Sequence, residues 1–528
     1  MKKHGRYLWG LFCLGVVLAC GLRYVLREGP VSLDEYDRVD RPARIDPDYA
    51  NTVIPPNIAP LNFQVKEPAR RYYVKVYADK AKSIEIFSRT AAIVIPQKPW
   101  RELLEDARGS KLCFDIYARN AGGRWRRFAT ITNTIAPADV DPYLVYRVTG
   151  PIFNLFRDTR IYQRNLQNYD ESMVLRGQSF HASWRGGCVN CHTFCNNRTD
   201  KMLISVRDES YGSSGLLVLH GELSKVNTKF GYTAWHPSGR LIVYSVGKTR
   251  QFFHTAGTEV RDVVDLDSAL CYYLIGSRTV KTHPKLAQKD RLETYPAWSP
   301  DGKYLYFCSA PILWENRDQT PPENYHRLRY DLMRISYDIE TDTWGELETI
   351  LSAEQTGRSI LLPRISPDGR FLVVCMCDYG CFPIYQPSSD LYIIDLEQAS
   401  QTGQFTYRPL EVNSDRCESW HCFSDNSRWL VFSSKRRDGL FTRSYFTYID
   451  QQGRASKPFV LPQKDPAFYD SFHKTYTVPE LLTEPVQVRE RDLVAAVSSP
   501  KVIDVTMPLT AATPGGKSQT SSEPWQQR

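Results

Sequence analysis

The chain has 528 residues and a formal net charge of +8, with 42% hydrophobic and 24% charged residues. That balance excludes a disordered or fibrous protein, and the length excludes a single ordinary core. The positive charge is spread along the chain, densest at Lys435, Arg436 and Arg437 with Arg443 close behind, which is the pattern of a solvated surface rather than of a nucleic-acid partner.

The first residues, MKKHGRYLWGLFCLGVVLAC, place Lys2, Lys3 and Arg6 before an apolar run from Tyr7 to Ala19. This is the layout of an export signal, and the run falls short of the roughly 20 residues of a membrane-spanning helix. Its end, Val17-Leu18-Ala19-Cys20, resembles the lipobox of bacterial lipoproteins. The resemblance implies lipidation at Cys20 and a membrane-anchored, periplasm-facing protein of the cell envelope. The competing expectation is an uncleaved signal anchor continuing through Leu22 to Leu26 across Arg23. Export also bears on the 13 cysteines, because disulfides are allowed outside the cytoplasm. Spacing gives no pairing. Cys308, Cys375 and Cys377 stand in apolar alternating runs, where a thiol acts as a small hydrophobe.

Residues 21–60, rich in Pro and Asp, read as a linker. From 61 to 135 short alternating runs such as RRYYVKVYA, KSIEIFS and KLCFDIYAR are separated by turn residues, the pattern of a small β-sandwich of immunoglobulin-like or fibronectin-like type. Within it KPWRELLEDARGS allows one short helix. Residues 136–197 read as a connecting segment in which Asn165 to Val174 is helical.

The connecting segment ends in SWRGGCVNCHTFCNN, and within it Cys188-Val189-Asn190-Cys191-His192 has the C-x-x-C-H form of c-type haem attachment. The chemistry asks for two thiols that form thioethers to one porphyrin and a neighbouring imidazole that ligates the iron. Three other readings stand beside it. Cys195 with Cys188, Cys191 and His192 makes a Cys₃His zinc set, although adjacent Cys and His positions fit one tetrahedron poorly. A redox dithiol needs a helix N-terminus, whereas the sequence downstream is all β. The third is a cysteine-rich turn without a ligand. For a haem, a methionine on the far side of the iron favours electron transfer, and an open position favours ligand binding. Met202 is the candidate, in a strand-like KMLISV; Met173, His181, His236 and His254 are further candidates, and the sequence does not choose among them.

Beyond Arg198 the chain repeats. YTAWHPSGRLIVYSVG, YPAWSPDGKYLYFCSA, LPRISPDGRFLVVCMC and SWHCFSDNSRWLVFSS stack on the anchors Pro237, Pro300, Pro367 and Asp425, about 60 residues apart. Each line is a strand, a tight turn and a returning strand. A weaker copy, NNRTDKMLISVRDE, begins at Asn196. Hairpin units of this length predict a β-propeller. The expected class is therefore all-β, with an N-terminal β-sandwich-like domain followed by a propeller of five or six blades over 198–482. A sixth blade is completed by KPFVLPQKDPAFYDSFHKTYTVPEL or by strands before the motif. Residues 483–528 read as a mostly disordered tail.

The aromatic–Ser-Pro-Asp-Gly–strand consensus is similar to the WD40-like repeat of the TolB family and of prolyl oligopeptidase propellers. With GGCVNCHTF, IPPNIAPLNF and SSKRRDGLFTR, the chain resembles exported TolB-like propeller proteins that carry a single c-type haem motif. That resemblance implies one covalent haem c on Cys188 and Cys191 with His192 as axial ligand. It gives two expectations of function: a lipid-anchored monohaem cytochrome passing electrons to an envelope partner docked on the propeller, or an envelope interaction or translocation scaffold whose haem or Cys/His metal site is structural or sensory. Enzymatic activity is left open. The G-x-S-x-G of a peptidase and the phosphate-binding glycine motifs are missing from the sequence, and Asp301 and Asp368 stand in repeat turns.

Overall fold

A computed structural model describes residues 35–120, 123–150, 158–180, 187–255, 261–316 and 318–506. The export segment, Cys20 and His181 lie outside these residues. Among the described residues no helix is long and apolar enough to cross a membrane.

The N-terminal unit is a seven-stranded mixed sheet faced by a three-stranded one, Ile45–Asp46, Phe63–Val65 and Ala92–Ile93. It starts earlier than expected. Tyr36–Pro42 pairs in parallel with Trp125–Ala129, and Val53–Ile54 with Thr134–Ile135, so part of the presumed linker is sheet. The sequence hid this because Tyr36–Pro42 is an edge strand with mostly exposed residues, and edge strands carry little apolar alternation. The expected helix forms at Gln97–Asp106 and buries Trp100, Leu103 and Leu104.

Six four-stranded sheets follow, and together they make a six-bladed propeller. Their inner strands are Thr475–Leu482, Cys188–Cys195, Gly231–Trp235, Arg291–Trp298, Ser359–Ile365 and Glu418–Phe423, and each packs against the next around a closed ring. Blade one is a composite. Tyr143–Thr149, Arg160–Asn165 and Glu171–Arg176 come from the presumed connecting segment, and the last strand of the ring, Thr475–Leu482, pairs antiparallel with Tyr143–Thr149 to supply the inner position. Both proposed completions of the sixth blade are thus used, in the same blade. The propeller spans 143–482 rather than 198–482. The Asn165–Val174 stretch is a strand end, a turn and a strand rather than a helix, because its residues pair across a sheet edge, where β-structure overrides a weak local preference.

The C-terminus is more ordered than expected. Glu490–Ser498 is a helix that buries Leu493 and Val497, and the strap beyond it forms parallel bridges from Ile503 to Val226 and from Thr506 to Thr279 on the outer strands of blades two and three.

Candidate functional site

Each inner strand bulges at its middle, where the register shifts by one residue. In five of them a bulky residue stands in the left-handed region: Tyr232 at φ 37°, Tyr295 at 52°, Leu362 at 52°, Trp420 at 42° and Val478 at 51°. Such a conformation costs of order 1–3 kcal/mol at each position, and a bulge re-aims a side chain. Here the bulges aim the side chains at the propeller axis. The rings of Tyr232 and Tyr295 stand 4.4 Å apart, and both lie about 6 Å from Trp420. These three rings, from blades three, four and six, form a floor across the channel.

Above the floor is an upper chamber of about 190 Å³, and below it, among the Pro237, Pro300 and Pro367 turns, a second cavity of about 330 Å³. Arg364 borders both and donates to Glu480 at 2.8 Å. Among the described residues the wall of the upper chamber carries Arg147, Arg207, Lys229 and Arg364, with Asp265 as its one carboxylate. Arg147 is positioned by Thr477 Oγ1 at 3.1 Å and by the Asn190 side chain. Lys229 donates to the Gly247 carbonyl at 2.9 Å. Gly247 is required there, because a Cβ would stand 2.1 Å from the Asp267 carbonyl oxygen. Burial lowers the Lys229 ammonium to about 7, with Arg207 adding to the shift, and burial raises Asp265 to about 6.

The C-x-x-C-H motif is not a connector before the first blade but the inner strand of blade two. Its bulge falls between Val189 and His192, so Asn190 and Cys191 take the place held elsewhere by a large side chain. Cys191 and His192 border the chamber. His192 is 3% exposed, and its ring nitrogens make no well-formed hydrogen bond beyond a weak contact with the Val478 backbone; burial first, and the nearby Arg147 second, push its pKa down to about 3, so the imidazole is neutral. Cys188 is buried behind the wall, opposite Arg207 in the neighbouring strand, and burial raises its thiol to about 11. The residues therefore fit a haem at Cys191, and fit it at Cys188 and His192 only once this strand is repacked.

The remaining candidates are structural. Met202 pairs with Phe194 and packs in the core between blades one and two, away from the chamber wall. Met173 pairs with Tyr162 in blade one. Both nitrogens of His236 are engaged, with Ser238 Oγ at 2.8 Å and the Gly302 carbonyl at 3.1 Å. His254 lies 3.6 Å from Asp262, outside the chamber wall. Cys195 Sγ contacts the His236 carbonyl at 3.7 Å; among the described residues no three His, Cys, Asp or Glu side chains converge as metal ligands, so the Cys₃His zinc set is not assembled. The described cysteines are free thiols, and Cys308, Cys375 and Cys377 are fully buried. Asp301 receives the Ser299 hydroxyl at 2.6 Å and the Lys303 amide at 3.1 Å, a turn role.

Just behind the wall, Glu293 is fully buried with both carboxylate oxygens unpartnered, and burial raises its pKa from 4.5 to about 8. A carboxyl whose folded pKa is raised stabilises fully below its ordinary value and loses that contribution as pH rises through the folded value. Urea unfolding is therefore expected to show stability falling between pH 5 and about 8. Glu293→Gln flattens that dependence, and an unchanged profile in the variant counts against the assignment.

No protein-family model matches the sequence, and no curated protein matches it. Solved structures share the architecture at low similarity. An oligogalacturonate lyase from Vibrio parahaemolyticus is 11% identical, covering 59% of this chain and 92% of that one with a TM-score of 0.29. An oligogalacturonate lyase in complex with manganese is 11% identical, covering 81% and 99%, also at 0.29. Prolyl oligopeptidase B from Galerina marginata is 12% identical over 61% of this chain at 0.34, and the chain spans only 44% of its length. The propeller rests on the closed ring of six sheets, and no chemistry is taken from these neighbours.

Proposed function

We propose that the propeller binds a small anionic molecule with a flat, aromatic or conjugated body in its upper chamber. The observation that carries this reading is the wall itself, where among the described residues Arg147, Arg207, Lys229 and an Arg364 paired with Glu480 stand with one lining carboxylate, Asp265, above a floor of three aromatic rings. Cations in a low-dielectric cleft focus an anion, arginine forks match a carboxylate, and aromatic faces accept a planar body. Calorimetric titration with phenylacetate, against the neutral phenylacetamide, tests it. Phenylacetate is expected to bind at least tenfold more tightly; equal affinities would exclude charge recognition.

A second reading is supported by His192, whose neutral imidazole borders the chamber beside Cys191 with only a weak contact to the Val478 backbone. Here the chain is an exported, lipid-anchored c-type cytochrome with one haem held by Cys188, Cys191 and His192. A haem at this place supplies a one-electron couple for an envelope partner docked on the propeller. His192 would contribute an imidazole nitrogen, Cys191 the thiol on the wall, and Arg147 and Arg207 positive charge on the same wall. The alternative role is an envelope scaffold in which the haem is structural or sensory. Expression with a c-type maturation system and a pyridine haemochrome assay decides the matter. The cytochrome reading expects one covalent haem, lost in Cys191→Ser, and a shifted Soret band in His192→Ala. Full-length protein that folds without covalent haem sinks it. Lipidation at Cys20 is checked by labelling with a radioactive fatty acid.

A further inference from the structure

We infer that Lys229 is a nucleophilic amine that forms an imine with a small 2-oxo acid bound in the upper chamber, an inference that rests on the anion-binding reading of that chamber. Lys229 is the one primary amine on the chamber wall among the described residues, and its Nζ is held there by the Gly247 carbonyl at 2.9 Å, with Gly247 itself on the same wall. Arg207 and Asp265 border the same chamber and interact with Lys229 through charge, one repelling its protonated form and the other favouring it. An amine placed beside another cation in a desolvated cleft is the arrangement that frees its lone pair near neutral pH. Arg147 and Arg364 remain to hold the carboxylate, and the rings of Tyr232 and Tyr295 to hold an apolar substituent.

The chemistry balances without an oxidant or reductant. The neutral Lys229 Nζ attacks the carbonyl carbon and the C=O π electrons move to oxygen. A proton passes from nitrogen to that oxygen, with Asp265 as the acid–base group of the wall. The carbinolamine then loses water as the nitrogen lone pair forms the C=N bond. The products are one imine and one water.

The test uses the full chain with phenylpyruvate as the 2-oxo acid, phenylacetate as the matching acid without a ketone, and borohydride added to reduce any imine to a stable secondary amine. The expected result is phenylacetate binding, together with a phenylpyruvate adduct mapped by mass spectrometry to Lys229. The rate of trapping rises with pH through about 7, where the Lys229 amine deprotonates. Lys229→Met and Lys229→Arg abolish the adduct at that position while melting at the parent temperature, which reports that the chamber is folded. Phenylacetate binding without an adduct at Lys229 overturns the imine alone. Failure of both acids to bind overturns the chamber reading and the imine with it.

Discussion

Replacing Arg147 and Arg207 together by alanine is expected to weaken phenylacetate binding by about two to four orders of magnitude. Each guanidinium offers hydrogen bonds to a charged acceptor worth about 1.5–3 kcal/mol, and 1.4 kcal/mol is about tenfold in affinity. Burial limits screening, so added salt restores little of the difference between variant and parent. Arg147 also holds Thr477 Oγ1 at 3.1 Å and the Asn190 side chain, so the variant must be compared with the parent by thermal unfolding. Arg147→Lys keeps the charge and loses the fork, and is expected to fall between the two, because lysine does not reproduce two-point recognition of a carboxylate. A double variant that folds like the parent and binds phenylacetate equally well would falsify the anion site.

Deleting residues 475–528 is expected to abolish cooperative unfolding of the propeller. The strand Thr475–Leu482 is buried along its whole length and pairs with Tyr143–Thr149, and it packs beside the inner strands of blades two and six. Without it, blade one loses its inner strand and the ring has two open edges. Leu481 and Leu482, both fully buried, carry apolar area that nothing else covers, at about 1.5–3 kcal/mol for each side chain. Leu481→Asp is the milder form of the experiment. A buried, unpaired carboxylate either shifts its pKa strongly or unfolds the site, and destabilisation of more than about 4 kcal/mol is expected. Circular dichroism melts and hydrogen exchange read both changes; a deletion variant that melts in one sharp transition at the parent temperature contradicts closure by this strand.

Much of the fold was legible because the hairpin repeats carry strong local physics. Pro237, Pro300 and Pro367 each head a tight turn between alternating strands, and such turns announce themselves. Both segments of blade one were legible as candidates for a sixth blade, but their union was not, since the inner strand lies more than 300 residues from the strand it pairs with and no local pattern links them. The chemistry was legible only in part. Cys191 and His192 were visible as a motif, yet their company was not. Arg147, Arg207, Asp265 and Arg364 come from blades one, two, three and five, Lys229 from the connector into blade three, and together they match no spacing rule. One signal was available and passed over: Tyr232, Tyr295 and Leu362 each stand five residues before a turn proline, and that repeated position is the axis of the ring.

The sequence by itself determined the alternation of strands, the turns that join them and the identity of the thiols and imidazole in Cys188 to His192, because each of these depends on neighbours along the chain. Only the tertiary structure decided that the motif is an inner strand, that its bulge faces a chamber lined by Arg147, Arg207 and Lys229, and that Cys188 stands behind the wall while His192 borders the chamber. The reason is geometric. A propeller brings the middles of six distant strands to one axis, so what surrounds a residue there is set by ring closure and not by the residues next to it.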